Sequence, residues 1–310
     1  MKKLQLLRAL SAVALTGLVL AGCSSNTNEP LVMVGVPVDE SQNIAESYQL
    51  MMDLVSESVD REVTFYESQD YGSGTQALIG GRVDIAVLSV FSYVLATSAS
   101  EDIKLLATVA RDGGELPGAF AYGIRRTGDE DISNIEDLRG KRVCFSDPGS
   151  GVGYFWPAYS MFQLGIDPDP VSSSDYEAVF AGTFPQVAVA VSNGDCDAGF
   201  LLDAMYDTVI PRSEVVDMSL IEQFWTSPVL PGLALVYNSA TVSKDEADLI
   251  RTTMLEKGNK NSLVDEGVCT EFSDCRFLSA AAWGFVETSD SFYDPLRELC
   301  ARMEIAQCSN

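Results

Sequence analysis

The sequence predicts an α/β protein of two lobes, each a mainly parallel sheet flanked by helices, with a ligand cleft between them. Three observations carry this. Short apolar strands alternate with helix-period segments from Leu31 onward, the rhythm of a parallel sheet covered by helices. The same rhythm starts again near Ile132. The 288 residues that follow positions 1–22 suit two units of ordinary domain size.

The N-terminus comes first in chain order. Lys2, Lys3 and Arg8 precede an apolar run too short to span a bilayer, and the stretch ends in small residues, so 1–22 reads as a secretory signal. Leu20-Ala21-Gly22-Cys23 resembles the bacterial lipobox, which would make Cys23 the lipidated first residue of the mature chain. Residues 23–30 have the polar composition of a tether. No later apolar run is long enough to span, so the mature protein is expected at the outer face of the cell membrane, held there by lipid alone.

The folded part is expected to place 31–120 and 230–310 in lobe one and 121–229 in lobe two. "LVMVGVPV" (31–38) is a buried-type strand, and Ile44, Tyr48, Met51 and Val55 repeat at helical spacing. "VTFYES" (63–68), "VDIAVL" (83–88) and "IKLLATVA" (103–110) are further strands, with helices between. In the second run, Ser133 and Glu136 form a capping box before strand "KRVCFS" (141–146). A helix is expected from about Gly153 to Leu164, and another opened by Thr183 with Pro185 in its first turn and Gly194 at its end. "CDAGFLL" (196–202) and "LALVYN" (233–238) are strands, and Ser243 with Glu246 caps a helix to about Lys257. The two lobe crossovers fall near 118–125 and 226–236.

Composition removes whole function classes. The chain has 45 acidic and 20 basic side chains, and loss of 1–22, with three basic and no acidic residues, moves the formal charge from −25 to −28. Such a surface repels nucleic acid and anionic headgroups. There is no histidine, so Ser/His/Asp and Cys/His catalysis are excluded; lysine- or carboxylate-based chemistry stays open but unsupported. No metal site and no cofactor are expected. Cys23 aside, Cys144, Cys196, Cys269, Cys275, Cys300 and Cys308 make an even six, the usage of an exported protein with up to three disulfides. Cys144 and Cys196 sit on candidate neighbouring strands; Cys269–Cys275 and Cys300–Cys308 are short-range candidates.

"CFSDPGSGVGYFWP" (144–157) runs from a strand through three alternating glycines into a helix. A dinucleotide fingerprint would need glycine at Tyr154, a Walker loop a lysine that does not follow, and a nucleophile elbow glycine at Pro148. What survives is strand–loop–helix geometry. Ser150, Gly151, Val152, Gly153 and Tyr154 would present backbone N–H groups at a helix start, and Thr183 opens a second one. Oriented dipoles would then replace basic side chains in holding a small oxyanion. The plainer reading is a tight turn.

"DYGSGTQALIGGRVDIAVLSVFSYVLA" (70–96), "DLRGKRVCFSDPGSGVGYFWP" (137–157), "AGTFPQVAVAVSNGDCDAG" (181–199) and "SPVLPGLALVYNSATVSKDEADLIRTTML" (227–255) resemble, in order and spacing, the phosphate/phosphite/phosphonate-type solute-binding proteins of ABC transporters. The likeness covers roughly 31–257. It implies a two-lobe periplasmic-binding fold of type II kind, a small-molecule ligand and a membrane permease as partner; the chain is expected to act as a monomer. By position it implies Tyr71 and Tyr93 from lobe one, Ser150 with the amides of Gly151 and Val152 as the oxyanion loop, and Asp203 facing a ligand's amino end. The chain also departs from the family pattern. Ser150-Gly151-Val152 stands for the usual Ser-Thr-Ser, Thr183 for a common histidine, and Ser89-Val90 for Gly-Pro. A zwitterionic or cationic ligand, or a sensor's ligand-reporting subunit, therefore stays open beside an oxyanion importer.

Overall fold

The computed structural model describes residues 29–303, apart from 36–43, 115–116, 273, 276 and 279–281. Cys23, Cys308 and the expected signal thus lie outside the described residues. Lobe one opens with β1 (Leu31–Gly35), α1 (Ile44–Val59), β2 (Val63–Phe65), α2 (Tyr71–Ile79), β3 (Ile85–Leu88), α3 (Val90–Ala99) and β4 (Ile103–Ala110). A crossover strand, β5 (Gly118–Ala119), leads to lobe two: β6 (Ala121–Arg126), β7 (Arg142–Phe145), α4 (Trp156–Gln163), β8 (Glu177–Phe180), α5 (Phe184–Asn193), β9 (Ala198–Leu202), α6 (Ile210–Ser213) and β10 (Ile221–Thr226). The chain returns through β11 (Leu230–Pro231) and ends with β12 (Ala234–Asn238), α7 (Lys244–Glu256), α8 (Lys260–Asp265), β13 (Gly284–Val286) and α9 (Asp294–Met303).

Lobe one is a six-stranded sheet in the order β13-β4-β12-β3-β1-β2; lobe two is five-stranded, β10-β6-β9-β7-β8. Most strands of each sheet run in one direction, as expected, with a minority of antiparallel strands among them. The returning β12 inserts antiparallel between β3 and β4, and β6 runs antiparallel between β9 and β10. β5 and β11 pair with each other, Gly118 opposite Pro231 and Ala119 opposite Leu230. The two crossovers are therefore one ribbon, the natural axis of any lobe motion.

Three apolar clusters hold the molecule together. Leu31, Met51 and Val55 pack with Ile250 and Met254 in lobe one, where α1 lies against α7. Val187, Val191, Leu201 and Cys144 fill lobe two beneath α5. The third cluster runs between the lobes, from Phe91 and Val94 on α3 to Phe155, with Leu296 and Leu299 of α9.

Local chemistry explains the starts and stops. Ser243 and Glu246 cap α7 reciprocally, as expected. The box before the one-turn helix Ile135–Leu138 is Asn134 with Asp137, one residue later than the expected Ser133 with Glu136. The helix expected from Gly153 begins earlier, as a π-helical turn over Gly151–Phe155 capped by the Ser150 side chain, and continues as α4. Thr183 holds the N-cap position of α5, but its hydroxyl makes no cap hydrogen bond; its Oγ1 is buried without a partner among the described residues. Gly194 ends α5 in the left-handed region at φ 83°.

Cys144–Cys196 joins β7 to the approach of β9 with Cα atoms 5.8 Å apart, and Cys269–Cys275 closes a short loop at 5.4 Å. The pairing expected of Cys300 involves a residue outside those described.

Candidate ligand-binding cleft

In a parallel βα unit the strand ends and helix starts share one edge, so both lobes aim theirs at the gap between the sheets. A cavity of about 80 Å³ lies there, room for several waters at roughly 10–15 Å³ each or for one small organic anion. Four of the helix starts named so far reach its wall: Tyr71 at α2, Ser89 and Val90 at α3, Ser150 to Val152 at the π-helical turn, and Phe184 at α5. The leading N–H groups of a helix have no acceptor within it, and they concentrate the positive end of the helix dipole. Arg111, one residue past β4, adds a full positive charge to the same wall. The remaining lining is apolar, from Val109, Leu202, Leu233 and the crossover residues Ala119 and Pro231.

The lobes touch across this space. Ser89 Oγ donates to the Gly149 carbonyl at 2.7 Å, and the Phe91 and Phe155 rings stack with centroids 4.3 Å apart. Arg111 Nη2 meets Asp203 Oδ2 at 2.6 Å, and Arg111 Nε donates to the Gly118 carbonyl at 3.1 Å. Asp147 accepts the Gly149 N–H at 2.6 Å and also the backbone N–H of Tyr71 from the other lobe. Burial pushes the Asp147 carboxyl above its ordinary range, against the pull of those amides.

The expected site residues divide on this geometry. Tyr71, Ser150, Gly151 and Val152 line the cavity together. The Tyr71 phenol is pushed well up, chiefly by burial and then by Asp147, while a hydrogen bond with Ser150 lowers it. Ser150 also spends an oxygen lone pair on the Gly153 N–H at 2.9 Å, so Gly153 acts from behind the wall. Tyr154 is turned inward and donates to the Pro168 carbonyl at 3.2 Å. Tyr93 is buried elsewhere, its hydroxyl on Asp290 and its ring against Tyr293. Thr183 precedes Phe184 at the start of α5 and does not itself line the cavity. Asp203 does not present a free carboxylate: Arg111 takes one oxygen and the Ala204 N–H the other at 2.8 Å. Burial, the largest influence, still raises its pKa despite the guanidinium. Arg111, a basic side chain that sequence reasoning missed, also lines the cavity: a lone arginine after a strand carries no signal that separates it from a surface charge. Among the described residues no cluster suited to a metal ion is present.

Comparison with known proteins agrees with this architecture. Residues 33–279 match the family described as "ABC transporter, phosphonate, periplasmic substrate-binding protein". The chain is 30% identical over 305 residues to the phosphate-import protein PhnD of Mycolicibacterium smegmatis, covering 94% of both chains. Its fold is similar to PhnD1 from Prochlorococcus marinus in complex with methylphosphonate, with a TM-score of 0.72 at 18% identity over 88% of this chain and 97% of that one. It is equally similar to a binding protein component of an ABC phosphonate transporter from Pseudomonas aeruginosa, with a TM-score of 0.71 at 20% identity over 91% and 90%. The two-lobe fold, the cleft and these matches together place the chain in the phosphonate-type periplasmic substrate-binding protein family of ABC transporters, to which it belongs.

Proposed function

We propose that this substrate-binding protein captures a small oxyanion of the phosphonate, phosphite or phosphate class between its lobes, 31–120 with 230–310 and 121–229, and hands it to an ABC permease. The carrying observation is the meeting of four helix starts and Arg111 on one mainly apolar cavity. Backbone dipoles and one guanidinium suit an anion in a chain otherwise strongly acidic. The relative from M. smegmatis is named for phosphate import and the P. marinus structure holds methylphosphonate, which supports the same class here. A cationic ligand end at Asp203 has lost its motive, because Arg111 already occupies that carboxylate. Calorimetry against phosphate, phosphite, methylphosphonate and 2-aminoethylphosphonate tests the reading; binding of none of them defeats it.

The protein would work as a monomer tethered through lipid on Cys23. Among the described residues no helix is long and apolar enough to cross a membrane. Cys23→Ala should leave the precursor unprocessed or release the protein from membranes, and unchanged fractionation with a mature N-terminus elsewhere would count against lipidation.

A further inference from the structure

Resting on the anion reading, we infer that Arg111 makes the cleft selective against ammonium-bearing ligands, so that its substrates are unsubstituted or alkyl phosph(on)ates and not aminoalkyl ones. The geometry is that of a blocked carboxylate. Asp203 is only 3% exposed, with one oxygen on Arg111 at 2.6 Å and the other on the Ala204 N–H at 2.8 Å. The guanidinium is fixed from its other side by the Gly118 carbonyl of the crossover ribbon at 3.1 Å. Arg111, Leu202 and Ala204 face the cavity, whereas the Asp203 side chain is not part of its wall.

An ammonium group entering this space meets a like charge and apolar side chains before any carboxylate. It would lose its water without a partner, a costly transfer. Displacing Arg111 to reach Asp203 would instead strand a guanidinium in the same partly buried place. An alkyl group meets neither obstacle, since Val109, Leu202 and Leu233 offer it matching surface. Arg111 has five N–H donors in a fixed fork, and Asp203 and Gly118 engage one each. Positive donors therefore remain for the anionic end.

Propylphosphonate and 2-aminoethylphosphonate test this cleanly, because they have equal numbers of non-hydrogen atoms and differ by methyl against ammonium. Calorimetry on the purified full chain should find propylphosphonate bound at least about tenfold more tightly, roughly the step that one unpaired polar group imposes. In Arg111→Gln the ratio should narrow or reverse, as Asp203 becomes available. Asp203→Asn covers the case in which that variant fails to fold: it should keep the wild-type preference. Equal or tighter binding of 2-aminoethylphosphonate by the wild type would overturn the inference while leaving the anion reading in place. So would an unchanged ratio in a folded Arg111→Gln, or a selective loss of aminoethyl binding in Asp203→Asn. Failure of the wild type to bind either compound, or phosphate, phosphite or methylphosphonate, would instead remove the anion reading and this inference with it.

Discussion

Gly151 and Gly153 stand two residues apart in one turn and meet opposite surroundings. A methyl group on Gly153 would run into Ser146 Oγ and lie 2.9 Å from both Ser150 Oγ and the Phe184 ring. One on Gly151 would rest 3.4 Å from Val90 Cβ in the facing lobe, an ordinary contact. Gly153→Ala should therefore lower the thermal midpoint, by about 1–3 kcal/mol of overpacking. Gly151→Ala should fold normally. Gly151→Leu should also fold, but it would wedge against Val90 and Phe91 and abolish binding by calorimetry; wild-type affinity there would reduce the loop to a turn. Asp147 gives a pH prediction. Burial raises its folded pKa, so the folded state binds the proton more readily than the unfolded chain, and the carboxyl favours folding most below the ordinary carboxylate pKa near 4. That contribution fades as pH rises through the raised value. Asp147→Asn should thus raise the midpoint at pH 7, and the gain should shrink to nothing towards pH 4. The glycine spacing was readable in the sequence. The Arg111–Asp203 pair was not, because 92 residues separate its members and only the fold brings them together.

At the scale of elements, the disulfides separate by loop length. Cys144–Cys196 spans 52 residues and Cys269–Cys275 only 6, so loop-closure entropy assigns more to the first, about 4 kcal/mol against about 2. Replacing each pair by alanine should lower the denaturation midpoint more for Cys144/Cys196, and an equal or inverted order would show that entropy is not what ranks them. Helices α1 to α5 and α7 and most buried strands were legible because caps and apolar runs are local signals: "IKLLATVA" is β4 residue for residue. Helices α6, α8 and α9 were not, and neither were β6, β10 and β13. "AYGIRR" and "IEQFWT" mix charged and small residues with apolar ones, and their partners supply what their own pattern lacks. β12 reads as a strand, but its antiparallel place between β3 and β4 is a property of the whole sheet. At the capping box both Ser133 and Asn134 fit the motif, and backbone geometry selected the second.

For the whole molecule, two lobes and a cleft followed from repeated strand–helix rhythm, while the role of the C-terminal segment did not. α9 packs against α3 of lobe one and α4 of lobe two, so the tail adds to the seam between the lobes as well as to lobe one. The ribbon of β5 and β11 is the other joint. Gly232, just past it, has no room for a side chain, since a Cβ there would strike the Val109 carbonyl. Gly232→Ala should displace the ribbon, loosen closure and weaken binding. Small-angle scattering with saturating ligand should then give a larger radius of gyration than for wild type, and an unchanged value would exonerate the hinge. In the wild type, ligand at a hundred times its Kd should add about 2.7 kcal/mol to stability.

The contacts that join the lobes belong to the protein itself: Ser89 to Gly149, Arg111 to Asp203, Phe91 on Phe155. They favour closure whatever the cavity holds, so a ligand contributes only the difference between the two forms. Capture then waits on the door. Association should accelerate with ligand concentration only until it reaches the rate at which these contacts part, and then level off. In scarce medium the scavenger would be collision-limited; in rich medium its pace would be set by its own breathing.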